Sequence, residues 1–175
     1  MTLFIRGVAG VVAALALLAG IIALLGLRLP RSHVVSRSIL LHQSPQSVYA
    51  VARDFGNAPT WRPDVKHVEV ETLGRGVVHF REKGKHGTVT YELVEDVPGD
   101  RMVTRILDTD LGYAGKWTYA FSPENGGTRV TITEDGEVSN VLFRFMSKYL
   151  FGQTATLDSY LASLAKRFEQ PARPQ

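Results

Sequence analysis

The sequence predicts an α+β domain, in which one antiparallel sheet is covered by a long C-terminal helix, with a single transmembrane helix in front. Three observations carry this. Gly7 to Leu27 is a run of 21 residues without a charged or strongly polar side chain. From His33 to Glu134, short segments alternate apolar and polar side chains between glycine- and proline-rich turns, the signature of half-buried strands. From Ser139 to Phe168 the apolar spacing becomes helical. A length of 175 residues with 45% hydrophobic and 21% charged residues suits one compact domain plus an added segment.

At ~1.5 Å per residue the apolar run reaches about 31 Å, which matches a hydrocarbon core of roughly 30 Å. A helix that is apolar all round does not suit packing on a domain surface. Arg6 precedes the run, and Arg28 and Arg31 follow it. A cleaved signal peptide is the competing reading. Two features favour an uncleaved anchor over residues 7–27. The run exceeds the ~7–15 residues of a signal core, and Leu27-Arg28-Leu29-Pro30 offers no small residues at cleavage spacing. Orientation signals oppose each other. The basic residues after the run lean toward a cytoplasmic domain, whereas the very short N-terminal tail favours export. The expected division is an anchor over 1–29, a folded domain over 30–169 and a frayed tail over 170–175.

The domain opens with a β-rich stretch, His33–His42. Ser44 then suits a helix N-cap with Pro45 at the first helical position. Val48, Val51, Ala52 and Phe55 supply that helix's apolar face, and Asn57–Trp61 forms a second short helix. Strands follow over Val65–Leu73, Val77–Lys83, Thr88–Val97, Arg101–Asp108, Ala114–Ser122 and Thr128–Glu134. The turns between them are Gly74-Arg75-Gly76, Gly84-Lys85-His86-Gly87, Pro98-Gly99-Asp100 and Asn125-Gly126-Gly127. From Ser139 to Phe168 a single helix is expected, with a stripe that includes Leu142, Phe145, Tyr149, Leu157, Tyr160, Leu161 and Leu164. Gly152 is where it is expected to kink or divide. A meander with one apolar face needs a cover, and this helix supplies it.

Composition excludes several function classes. There is no cysteine, hence no disulfide framework, thiol nucleophile, cysteine zinc site or iron–sulfur cluster. Of the net charge of +3, two positive charges belong to Arg6 and Arg28, so the folded part is nearly neutral and no nucleic-acid partner is expected. The five histidines, at 33, 42, 67, 79 and 86, lack ligand spacing, and no metal site or cofactor is expected. Nucleophile-elbow and phosphate-loop patterns are absent. Arg81, Lys83, Lys85 and His86 form a basic hairpin tip, read either as a contact for anionic lipid or as a solvated loop.

The stretch Ser44-Pro45-Gln46-Ser47-Val48-Tyr49-Ala50-Val51-Ala52-Arg53-Asp54-Phe55, followed by Trp61-Arg62-Pro63, resembles the opening of the START-like (SRPBCC) superfamily, in particular its polyketide cyclase/dehydrase family. The order of elements is similar from about His33 to Phe168. The resemblance implies a helix-grip fold, a curved antiparallel sheet wrapped round the C-terminal helix, with an internal cavity for sterols, lipids, quinones or polyketide-like molecules. It carries no catalytic residues. The N-terminal anchor lies outside the family pattern.

Strand alternation places Val89, Tyr91, Leu93, Trp117, Tyr119, Phe121, Val130 and Ile132 on the inward face, with Phe145, Tyr149 and Leu157 facing them from the helix. These are the candidate cavity-lining residues; a filled core is the competing reading. His79, Glu92 and Arg105 are candidate polar pocket residues, weighed against solvated strand positions. The leading expectation is a membrane-anchored domain that binds a small hydrophobic ligand. The alternatives are a cyclase/dehydratase-type enzyme and a surface-interaction domain with a filled core.

Overall fold

The computed structural model describes residues 2–85 and 87–171. His86 of the basic tip and residues 172–175 of the expected tail lie outside them. Helix α1 spans Thr2–Arg28. Strand β1 (Ser32–Leu41) leads into α2 (Pro45–Arg53), and a tight 3₁₀ turn follows over Phe55–Thr60. Strands β2 (Val65–Thr72), β3 (Val78–Gly84), β4 (Gly87–Val97), β5 (Arg101–Ile106), β6 (Tyr113–Glu124) and β7 (Gly127–Val138) come next. Helix α3 (Val141–Met146) runs into a wider π-type turn, Ser147–Phe151, and α4 spans Ala155–Arg167.

The described residues form a seven-stranded antiparallel sheet in the order β1-β7-β6-β5-β4-β3-β2. First and last strands are neighbours, so β1 and β2 occupy opposite edges, and α2 with its following turn crosses between them. The local reasons are plain. The Ser44 hydroxyl accepts from the Ser47 N–H at 3.2 Å and caps α2, with Pro45 opening the helix. Asn125 and Gly126, both at positive φ, make the β6–β7 hairpin.

Helix α4 supplies the grip. Leu157, Leu161 and Leu164 are fully buried and pack with Leu41, Val48, Met102, Phe121, Val130 and Ile132 in one core. Arg37 on β1 fixes the helix by donating from Nε to Asp158 at 2.7 Å, and the Thr154 hydroxyl donates to the same carboxylate at 2.9 Å.

The C-terminal segment divides at the position where the sequence expects a kink or division. Gly152, at φ 82°, breaks it into α3 with its π-type turn and α4. A left-handed backbone cannot continue a right-handed helix, and glycine adopts it without a Cβ penalty. Only α4 faces the sheet centre. Phe145 is half-buried and Tyr149 is 54% exposed, so the expected placement of Tyr149 over the cavity is corrected. Helix α1 stands clear of the core. Its Ala9–Arg28 segment has mean hydropathy 2.7 and is 6% buried.

Candidate ligand-binding site: an aromatic interior with a buried arginine

Cross-strand register sorts the inner face of the sheet into rows. Val78, Leu93, Thr104, Trp117, Glu134 and Val35 stand opposite one another across six strands. The next row contains Met102, Tyr119, Ile132 and Arg37, and the row beyond it Phe121, Val130 and Ile39. Burial changes along this direction. Phe121, Val130 and Ile132 are sealed, whereas Leu93, Trp117 and Val35 are only half-buried. The half-buried rows lie nearer the Tyr113/Val138 end of the sheet, where β7 passes into α3.

At this more open part of the interior stands Arg62. The turn before β2 places it, with its backbone N–H donating to the Ala58 carbonyl at 2.8 Å. Its Nη1 donates to Glu82 Oε1 at 2.7 Å, and its Nη2 donates to Glu82 Oε2 at 3.1 Å and to Asp64 Oδ2 at 3.0 Å. The Arg62 and Glu82 side chains retain 15% and 11% exposure. The guanidinium carbon lies 5.3 Å from the ring centre of Tyr160. Arg62 Nε is buried and has no hydrogen-bond partner among the described residues. Burial alone would lower the guanidinium pKa, but the charges of Glu82 and Asp64 outweigh it and hold it above its ordinary value.

Aromatic rings surround this charge. Tyr160 from α4 meets Trp61 at 5.3 Å, Tyr119 at 5.6 Å and Trp117 at 5.9 Å between ring centres. Tyr91 stacks on Phe80 at 5.0 Å, and Phe80 on Phe55 at 3.9 Å. Burial raises the pKa of Tyr91, Tyr119 and Tyr160, so all three phenols stay neutral donors at physiological pH. Glu134 forms a second polar point. It accepts from Trp117 Nε1 at 3.0 Å and pairs with His33 Nε2 at 3.1 Å. Gly136 makes room for the imidazole, since a Cβ there would lie 2.6 Å from the His33 ring.

The expected lining residues divide by this geometry. Val89, Tyr91, Leu93 and Trp117 are half-buried and face the more open interior beside Arg62 and Glu82. Tyr119 is 6% exposed and joins the aromatic cluster. Phe121, Val130, Ile132 and Leu157 belong to sealed core.

The polar candidates lie on the other face. His79, Glu92, Arg105, Lys116 and Asp135 form one cross-strand row on the outside of the sheet. Phe80, Tyr91 and Thr104 point inward, so strand alternation turns their neighbours His79, Glu92 and Arg105 outward. Arg105 pairs with Glu92 there, and its side chain is 55% exposed. The polar residues of the interior are instead Arg62, Glu82, Glu134 and His33. Glu82 had a sequence signal: it shares strand parity with Phe80 and so falls on the apolar face.

Among the described residues, no group of three or more His, Asp and Glu stands close enough to hold a metal ion. An open depression of about 430 Å³ lies on the surface, lined by Ala50, Arg53, Asp54, Phe55, Gly56 and Val70. It offers no enclosed aromatic wall. The interior around Arg62 instead brings aromatic rings and a buried guanidinium together in one place.

A curved antiparallel sheet gripping a C-terminal helix, with a polar point inside an aromatic interior, defines a START-like helix-grip domain. The similar solved structures include a START superfamily protein from Mycobacterium smegmatis (17% identity, TM-score 0.64, covering 78% of this chain and 97% of that one). Norcoclaurine synthase from Thalictrum flavum is similar at 12% identity and TM-score 0.61, covering 79% and 87%. The di-domain ARO/CYC StfQ of the steffimycin biosynthetic pathway is similar at 13% identity and TM-score 0.64, covering 79% of this chain and 52% of StfQ, so the chain spans about half of that protein. At these identities the likeness establishes the fold. No curated protein matches the sequence. The family model for polyketide cyclase/dehydrase and lipid transport matches residues 32–169, and the chain belongs to that family.

Proposed function

We propose that this chain is a membrane-tethered START-like domain that binds a small apolar molecule bearing an electronegative oxygen, drawn from the bilayer. One observation carries the reading: the buried, unpartnered Nε–H of Arg62 among aromatic side chains. An unmatched buried donor costs roughly 1–3 kcal/mol. A carbonyl, carboxylate or phenolate oxygen of a ligand would satisfy it while the rings hold the apolar body. Glu82 already occupies both Nη groups, so Arg62 acts as a fixed donor that keeps its charge and orientation. Two further observations support the tether. The α1 segment is long and apolar enough to cross a membrane, and the half-buried rows of the interior lie toward the end of the sheet next to α1 and α3. Tethering raises the local concentration of a bilayer-soluble ligand without any new contact.

The test is native mass spectrometry of the full chain in lipid nanodiscs, beside the double variant Arg62→Met/Glu82→Leu. The wild type is expected to carry an oxygen-bearing apolar molecule at stoichiometric level, and the variant to lose it while keeping its fold. A wild-type protein that is empty and also rejects fatty acid, quinone and aromatic polyketone probes would overturn the proposal. Turnover of a bound probe would move the chain to the cyclase/dehydratase reading.

A further inference from the structure

Helix α3 and its π-type turn leave an apolar face uncovered. Leu142 is 50% exposed, Phe143 45%, Tyr149 54% and Leu150 65%. At helical spacing these four share one side. The opposite side is fixed to the exit of α1. Gly26 is buried against Val141, where a Cβ would come within 2.4 Å of the Val141 carbonyl oxygen. Arg144 is buried and donates from Nη1 to the Leu29 carbonyl at 2.9 Å. The Val138 N–H donates to the Arg31 carbonyl at 2.8 Å, tying the end of β7 to the same point.

We infer that this face of α3 lies in the lipid interface beside α1, holding the sheet end with the more open interior against the bilayer. The occupant is the boundary between acyl chains and headgroups. Two arguments select it. The face continues the exposed apolar surface of α1, whose Leu24 and Leu27 are 52% and 63% exposed just before the junction. Exposed basic residues Arg28, Arg31 and Lys148 flank the junction, which suits anionic headgroups. An amphipathic segment with apolar side chains on one side and basic residues at its margin partitions into this zone. The contacts to Gly26 of α1 and to Leu29 just beyond it make α3 a second attachment, so the domain is oriented rather than hung from one flexible point.

The inference rests on the proposed membrane role of α1, and the test separates the two. The chain has no cysteine, so single cysteines can be introduced without background. Leu17→Cys in α1, Leu150→Cys in the α3 segment and Val94→Cys on β4 are each labelled with nitrobenzoxadiazole. The full chain is reconstituted in phosphatidylcholine/phosphatidylglycerol vesicles, and quenching by brominated lipid is compared with quenching by aqueous iodide. The expected result is lipid quenching and a blue-shifted emission at both Leu17→Cys and Leu150→Cys, with iodide quenching at Val94→Cys. Lipid quenching at Leu17→Cys with iodide quenching at Leu150→Cys overturns the interfacial face and leaves the tether standing. Shielding of Leu150→Cys from both quenchers means that a second copy covers the face, and also overturns it. Lipid quenching at Leu150→Cys without it at Leu17→Cys removes the spanning role of α1 and retains the interfacial face.

Discussion

Arg62 and Glu82, 20 residues apart in sequence, meet as a two-point ion pair at 2.7 and 3.1 Å inside the domain. Both side chains are largely removed from water, and each carries a desolvation cost that the other offsets. Removing one partner strands the other. Arg62→Ala is therefore expected to destabilise the fold by about 3–5 kcal/mol. Arg62→Met/Glu82→Leu removes both charges together, and is expected to come within ~1 kcal/mol of wild type in stability. Urea unfolding of the three proteins measures this. A double variant as damaged as the single would show that the pair contributes chiefly by its packing shape.

The second polar point makes a narrower prediction. Glu134 accepts the Trp117 indole N–H at 3.0 Å. Glu134→Leu leaves that donor without its partner and is expected to cost about 1–3 kcal/mol. Glu134→Gln keeps an acceptor oxygen and should lose clearly less. Denaturant midpoints, with tryptophan emission as a local probe, compare the two. Equal losses would mean that the indole bond contributes little and the carboxylate acts through His33.

Much of this architecture was legible in the sequence because strand alternation is a local property. Tyr91 and Leu93, then Trp117, Tyr119 and Phe121, then Val130 and Ile132, could be assigned to one face from their spacing, and they do share it. Strand β5 was different. Met102 and Thr104 point inward, but Val103 on the other side is also buried, so no apolar parity marks Arg105 as outward. Glu92 shares the polar side of its own strand with Thr88 and Thr90, and that side faces outward. Arg62 is visible as part of Trp61-Arg62-Pro63, but its ion pair depends on Glu82, 20 residues further on in β3. That pairing arises only when the β2–β3 hairpin folds back beside the turn that carries Arg62. Gly152 marks the division of the C-terminal segment in the sequence, although the apolar stripe suits one helix as well as two.

The tyrosines set a limit on alkaline stability. Burial, helped by a hydrogen bond to Asp96, pushes the Tyr49 hydroxyl up to about 12. Burial also raises Tyr91, Tyr119 and Tyr160. A phenol raised above its unfolded value of roughly 10 favours the fold in its neutral form. That contribution is complete below about pH 10 and is lost as pH rises through the folded value. Stability should thus be flat with respect to these groups at neutral pH and decline from about pH 10 upward. Tyrosinate absorbance is expected to appear cooperatively, together with loss of near-ultraviolet circular dichroism. A broad titration near the free-phenol value, with the tertiary signal intact, would contradict the burial of these rings.

Two adjacent glycines in the β6–β7 hairpin separate backbone strain from collision. Gly126 has φ 74° and no atom within 4 Å of a Cβ built on it. Gly126→Ala meets only the left-handed backbone penalty, about 1–2 kcal/mol. Gly126→Asn should recover part of it, because asparagine tolerates that region. Gly127 presents the opposite case. Its φ is unexceptional, but a Cβ there would sit 2.1 Å from the Leu41 carbonyl oxygen on β1. That atom is backbone, so no rotamer change relieves the contact, and β1 must move away from β7. Gly127→Ala is expected to cost about 3 kcal/mol, at the upper end for inserting one methyl group into packed structure. Gly127→Asn should give no recovery. Leu41 is fully buried and Thr128 donates to the Gln43 carbonyl at 2.6 Å, so the displacement reaches the core and the entry to α2. Thermal unfolding of the four variants, with hydrogen exchange at the β1–β7 amides, distinguishes the two mechanisms. Loss of protection is expected along β1 in the Gly127 variants alone. The same loss in Gly126→Ala would place the hairpin conformation, rather than the close approach of β1, in control of this sheet edge.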